Sequence, residues 1–156
     1  MNILVAGGTG FVGNPLVKSL LSRGDSVTVL TRSIEKAQTI FPEKTPQFLT
    51  ALSTLKDLNE FDAVINLAGE PIFDKRWTIQ QKEKLRHSRI NLTQQIVQLI
   101  NQSEHPPFLI SGSATGIYGD RGEYVITEDT HPSSQFTAQL CIDWKMQPNK
   151  PTQEFV

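Results

Sequence analysis

Apolar residues in this chain keep two rhythms, short continuous runs and stretches spaced by three or four. The run Ile3-Leu4-Val5-Ala6 comes first, and Leu16, Val17, Leu20 and Leu21 follow at helical spacing. Ser26 to Thr31, with Val27, Val29 and Leu30, repeats the composition of a buried strand. The signal then weakens: a short helix near Glu35 to Ile40, a break at Pro42 and Pro46, and a third strand at Gln47-Phe48-Leu49. Phe61 to Gly69 is an apolar run ending in small residues, which predicts a fully buried fourth strand whose end a ligand can approach. Thr78 is placed to cap a long helix from Ile79 to about Asn101, with Leu85, Leu92, Ile96, Val97 and Ile100 on its buried side. Phe108 to Ser111 is a fifth strand after Pro106-Pro107, and Gln135 to Trp144 returns to helical spacing. Strands alternating with helices predict an α/β fold, a doubly wound parallel sheet in the order 3-2-1-4-5 with helices on both faces. The fifth strand is then expected to be an unprotected edge, open to pairing or aggregation.

The residues between these elements carry the chemistry. Gly7-Gly8-Thr9-Gly10-Phe11-Val12-Gly13 joins the first strand to the first helix. Gly7 allows a tight exit from the strand, Gly10 lets the backbone approach a pyrophosphate, and Gly13 lets helix and strand pack closely. The free N–H groups and positive end of the helix then face phosphates, so the turn predicts a dinucleotide cradle. The alternative is a glycine turn that only joins two packed elements. At the end of the second strand an acidic residue would hold a ribose hydroxyl, whereas a basic one accommodates a 2′-phosphate. Arg32 stands there, flanked by the hydroxyls of Thr31 and Ser33, which favours NADP over NAD; the competing reading is a solvated strand-end cation. Leu67, Ala68 and Gly69 are expected beneath the cofactor. Lys82, Lys84, Arg86 and Arg89 make the first half of the long helix basic, and Lys82 and Arg86 read as solvated cations. The hydroxyl-rich turn after the fifth strand makes Ser113 the catalytic candidate, with a loop-capping serine as its alternative.

Composition changes this picture little. A chain of 156 residues is one ordinary domain, and 38% hydrophobic with 20% charged residues is usual for a globular chain. A net charge of -1 provides no general field for nucleic acid or anionic lipid, so a small-molecule partner is expected. Cys141 is the single cysteine, which excludes an intrachain disulfide. No leader pattern opens the sequence and no apolar run approaches the roughly 20 residues of a membrane helix. The expected location is the cytoplasm. No metal site is read.

The glycine turn, Asn66-Leu67-Ala68-Gly69, and the serine strand with Tyr118-Gly119 together resemble an extended short-chain dehydrogenase/reductase. More specifically, Asn66 to Ile72, Arg76-Trp77, Ser88-Arg89, and Phe136 with Cys141-Ile142-Asp143-Trp144 resemble its atypical NAD-dependent epimerase/dehydratase-like, or nucleoside-diphosphate-sugar epimerase, subgroup. The resemblance implies a Rossmann domain over 1–144 that binds NADP through Thr31 and Arg32, Leu67 and Ala68, Arg89, and Lys84 on the same helix.

This sequence departs from the pattern twice. Extended reductases pair a serine or threonine with Tyr-x-x-x-Lys, and this chain has Cys141 near the tyrosine's place, with Lys145 at the lysine's spacing. Cys141 is either a proton donor or a small buried hydrophobe. Family members also continue past Trp144 into a C-terminal substrate region, whereas Lys145 to Val156 follows another pattern, with Pro148 and Pro151 unable to continue a helix. The expectation is a truncated domain with an irregular tail over 145–156, outside the family fold. Restoring one G after the Trp144 codon regroups the next codons as Glu-Asn-Ala-Thr, so a single-base deletion is the expected origin of that tail. Three functions follow: an NADP-dependent epimerase or oxidoreductase acting on a nucleotide sugar or similar small alcohol or carbonyl, a non-catalytic NADP-binding module, or an inactive fragment of such an enzyme.

Overall fold

The computed structural model describes residues 1–42 and 45–145 and the backbone of Gln153–Phe155. The strands are β1 (Asn2–Ala6), β2 (Ser26–Leu30), β3 (Gln47–Leu49), β4 (Ala63–Asn66), β5 (Phe108–Ser111) and β6 (Gln153–Phe155). The helices are α1 (Gly13–Arg23), α2 (Ile34–Ile40), α3 (Ile79–Gln102) and α4 (Phe136–Lys145). All strand pairs are parallel, in the order β3-β2-β1-β4-β5-β6.

Side chains of a strand point alternately to its two faces, and here both faces are covered. Ile3 and Val5 of β1 join Val27 and Val29 of β2 against Val17 and Leu20 of α1, with Phe41 beside them. Leu4 and Ala6 join Val64 and Leu109 against Ile96, Val97 and Ile100 of α3 on the opposite face. Two separate apolar clusters on one sheet are the physical content of double winding. Ile96, Ile100 and Leu109 are completely buried, and each contributes roughly 1.5–3 kcal/mol on burial.

Local chemistry sets the helix boundaries. Gly24 adopts φ +93° and ends α1, donating its N–H toward the Leu20 and Leu21 carbonyls. Ser33 caps α2 by accepting from the Lys36 N–H, and Thr78 caps α3 by accepting from the Gln81 N–H at 3.2 Å, as expected. Strand register aligns Ala6 with Leu30 and Asn66, and Asn66 with Ser111. The loops that follow these four residues therefore share one edge of the sheet, its carboxyl edge.

The structure corrects the expected bare edge at β5. Gln153–Phe155 pairs in parallel with Leu109–Ser111, so β6 is a further strand and covers that edge. Backbone groups alone form this ladder, which is why a polar, proline-flanked segment can supply it. Lys145, expected to open the irregular tail, is the last residue of α4. The remainder of that tail, with Pro148, Pro151 and the proposed change of reading frame, lies outside the described residues.

Candidate functional site

The turn after β1 is built around two glycines that no other residue could replace. Gly7 has φ +81°, and a Cβ on it would lie 2.7 Å from the Leu67 carbonyl carbon and 2.8 Å from the Ala68 nitrogen. A Cβ on Gly13 would overlap the Gly7 carbonyl oxygen. Close contact thus runs from the start of α1 through the glycine turn to the residues after β4. Gly10 differs: its N–H donates to the Gly7 carbonyl at 3.0 Å, and a Cβ there would meet only that carbonyl oxygen, at 3.2 Å. Thr9 is half-buried, while Phe11, 97% exposed, and Val12 stand out into solvent. No side chain caps the N-terminus of α1; the Asn14 N–H donates to the Gly10 carbonyl at 2.9 Å and the Leu16 N–H to the Val12 carbonyl at 3.4 Å, and Pro15 between them has none to give. Asn14 Oδ1, in the first turn of α1, is a buried acceptor without a hydrogen-bond partner among the described residues.

The turn after β2 exposes Arg32, whose guanidinium makes no ion pair or hydrogen bond among the described residues. Its neighbours are already engaged. Thr31 Oγ1 donates to the Ser33 carbonyl at 3.2 Å and accepts from the Ser33 N–H at 3.3 Å, and Ser33 Oγ caps α2. Thr31 and Ser33 are thus tied into the turn itself, with the Ser33 hydroxyl proton still unused, beside the exposed arginine.

Behind the turn after β4 lies a buried polar cluster. Asn66 is fully buried; its Nδ2 donates to Thr93 Oγ1 at 2.9 Å and Ser111 Oγ at 3.4 Å, and its Oδ1 accepts from the Ala68 N–H. Thr93 Oγ1 donates to the Arg89 carbonyl at 2.7 Å and accepts from the Trp144 indole N–H at 2.9 Å as well. Arg89, only 9% exposed, donates to the Glu70 carbonyl at 3.0 Å and the Leu85 carbonyl at 3.3 Å, and its Cζ sits 5.6 Å from the Trp144 ring centroid. It has no ion pair with a carboxylate among the described residues, since Glu70 pairs with Lys75 at 3.4 Å. Burial pulls the Arg89 pKa below its ordinary value, and the guanidinium still stays charged at neutral pH. Gly69 is explained by this cation: a Cβ there would lie 2.8 Å from Arg89 Cζ.

Other expected residues are placed differently. Lys84 is exposed on α3, off the buried stripe Gln81, Leu85, Arg89 and Thr93. Lys82 and Arg86 remain partly exposed, as expected of solvated cations, but α4 packs beside them and gives each a partner: Lys82 Nζ lies 5.1 Å from the Phe136 ring centroid, and Arg86 pairs with Asp143 at 2.6 Å. Ser113 is half-buried in the turn after β5, with no side-chain hydrogen bond among the described residues. Cys141 is buried, its thiol directed at the Ala114 carbonyl at 3.7 Å, and burial pushes its pKa up although Arg89 opposes the shift. A thiol so held is a poor proton donor to a substrate. The sequence reading missed the Asn66–Thr93–Trp144 cluster; the available signal was Asn66 at the end of an apolar strand.

The residues present fit a dinucleotide: a glycine turn whose Gly7 and Gly13 have no room for a side chain, the positive end of α1 behind it, one exposed and one buried arginine, and a buried acceptor. Comparison with known proteins points the same way. The sequence profile of the NAD dependent epimerase/dehydratase family matches residues 3–148. The chain is 38% identical over 151 residues to the epimerase family protein SDR39U1 homolog, chloroplastic, of Arabidopsis thaliana, covering 93% of this chain and 43% of that protein. It is 39% identical over 151 residues to the epimerase family protein YfhF of Bacillus subtilis, covering 93% and 48%. The chain spans about half the length of these relatives. Human epimerase family protein SDR39U1 (isoform 2), crystallised with NADPH, superposes with a TM-score of 0.83 at 27% identity, over 99% of this chain and 52% of that one. A nucleoside-diphosphate sugar epimerase from Corynebacterium glutamicum gives 0.70 at 29% identity, over 93% and 29%. Among the described residues no helix is long and apolar enough to cross a membrane.

Proposed function

Because the chain belongs to the NAD dependent epimerase/dehydratase family, we propose that it binds NADP at the carboxyl edge of its sheet and serves a reaction of epimerase or oxidoreductase type. The observation that carries this reading is the segment Leu67–Gly69, whose backbone lies against Gly7 and leaves room for the Arg89 guanidinium, which has no carboxylate partner among the described residues. In the proposed site Gly7, Gly8, Thr9, Gly10 and Gly13 cradle the pyrophosphate at the N-terminus of α1. Arg32 meets the 2′-phosphate, and it is the reason for choosing NADP over NAD. Leu67 and Ala68 line the cofactor, and Arg89 supplies positive charge beside them. Lys84, exposed and unpaired among the described residues, is kept only as a peripheral contact.

NADP supplies the hydride chemistry when bound, and the protein orients the reacting partners. Ser113 is proposed to donate a hydrogen bond to the substrate oxygen from the turn after β5. A nucleotide sugar or a similar small alcohol or carbonyl is the proposed substrate class, supported by the likeness to the Corynebacterium epimerase. A second reading, a binding module without turnover, is favoured by Cys141, since a buried thiol aimed at a backbone carbonyl stands near the usual tyrosine's place.

Titration with NADPH and with NADH, for the unmodified chain and for Arg32→Ala, tests the cofactor reading. Arg32→Ala is expected to weaken NADPH about 10- to 100-fold, the worth of a charge-assisted hydrogen bond, and to leave NADH unchanged. Equal affinity for the two nucleotides, or no binding of either, would refute it. Steady oxidation of NADPH with a carbonyl panel separates the enzyme from the module.

A further inference from the structure

A buried cation normally lies against a carboxylate, because taking a charge out of water is costly unless it is compensated. Arg89 is held instead by two carbonyl oxygens, the Ser88 hydroxyl at 3.4 Å and the face of Trp144. Such an environment leaves the positive charge available to an incoming anion while fixing where it sits.

The fixing is done one step further back. Trp144 cannot rotate freely, since its indole N–H donates to Thr93 Oγ1 at 2.9 Å and its ring edge packs on Gly112. Thr93 Oγ1 has one proton to give and two lone pairs. It donates to the Arg89 carbonyl, four residues before it on α3, and accepts from Asn66 and Trp144, so its capacity is fully used. One hydroxyl therefore ties β4, α3 and α4 together directly behind Arg89.

We infer that Thr93 and Trp144 are positioning residues for Arg89, holding its guanidinium at the carboxyl edge so that the cofactor meets a preorganised cation. This rests on the NADP reading of the same site. It assigns a role to two residues that do not themselves touch the nucleotide, and it makes a specific claim about how their effects combine.

A double-mutant cycle on NADPH affinity, measured by calorimetry, tests it. Thr93→Val keeps the shape and removes the hydroxyl; Trp144→Phe removes the N–H and weakens the ring face. Each is expected to weaken NADPH roughly 3- to 30-fold, the worth of a partly desolvated cation–π contact. Thr93→Ser should restore most of that loss. In an Arg89→Met background neither substitution should weaken binding further, because the residue they act through is gone. Should Trp144→Phe fail to fold, Thr93→Val and Thr93→Ser carry the same cycle.

Losses that simply add in the Arg89→Met background would overturn the inference, as packing alone would then explain them. An Arg89→Met chain that binds NADPH normally would also overturn it, while the cofactor reading survived on the glycine turn and Arg32. No binding of NADPH to the unmodified chain would remove both.

Discussion

Gly10 and Gly13 have the same residue type, three positions apart, under different constraints. A Cβ on Gly13 would lie 2.7 Å from Gly8 Cα, backbone that cannot move aside, besides overlapping the Gly7 oxygen. Gly13→Ala is expected to cost about 2–4 kcal/mol, read as a lower urea midpoint. Gly10→Ala meets one carbonyl oxygen at 3.2 Å and should cost no more than about 1 kcal/mol, yet weaken NADPH at least about tenfold by filling the cradle. The pair separates fold from function within one turn. Cys141 makes a further prediction. Burial raises its pKa above the ordinary 9.0, so the folded chain retains a proton that the unfolded chain loses. The stability this contributes is present below pH 9.0 and is lost as pH rises through that value toward the folded pKa. Cys141→Ala should show a flatter alkaline limb in urea midpoints measured from about pH 8 to pH 10. The glycine positions could be read from sequence because their spacing is itself the signal. Pattern and charge alone made Arg89 one of four cations on a basic helix, and only the family resemblance at Ser88-Arg89 singled it out. Gln81, Arg89 and Thr93 interrupt the apolar stripe of α3, and polar residues on a buried stripe are invisible to a search for apolar periodicity.

Between elements, the connection from β4 to α3 is clamped by aromatic and charged contacts. Trp77 donates its indole N–H to the Ile72 carbonyl at 2.8 Å and meets Phe136 of α4 edge-on, centroids 5.7 Å apart. Lys82 covers the same phenyl ring, and Arg86 reaches Asp143 one turn further along α3. Trp77→Ala should free the loop carrying exposed Lys75 and Arg76, and limited trypsin digestion is expected to cut there several times faster than in the unmodified chain. Unchanged cleavage would mean that the remaining contacts suffice. Sequence spacing located the strands and helices with small shifts at their ends, since burial on both faces writes continuous apolar runs. It could not show that α4 lies against the first turns of α3, a tertiary contact that gives the partly exposed Lys82 and Arg86 their partners. β6 was equally hidden, because its pairing uses backbone groups and leaves no pattern in the side chains.

For the molecule as a whole, stability should fall from the middle of the sheet outward. β1 and β4 are each paired on both sides and covered on both faces, whereas β3 lies at one end of the sheet and β6 at the other. Hydrogen exchange followed by mass spectrometry should find the slowest amides in β1 and β4 and the fastest strand amides in β3. Comparable protection across all strands would indicate that the sheet opens only by global unfolding. The same strand order has a consequence during synthesis. β1 leaves the ribosome first, yet one of its two neighbours, β4, lies some sixty residues later in the chain. At about 5–20 residues per second, one flank of the strand that will become the centre of the sheet waits roughly 3–12 s for its partner. Leu4 and Ala6 wait longer still, because Ile96, Val97 and Ile100 of the α3 face that covers them follow β4 in the chain, so the nascent chain is most vulnerable to misassociation while its glycine turn is already made.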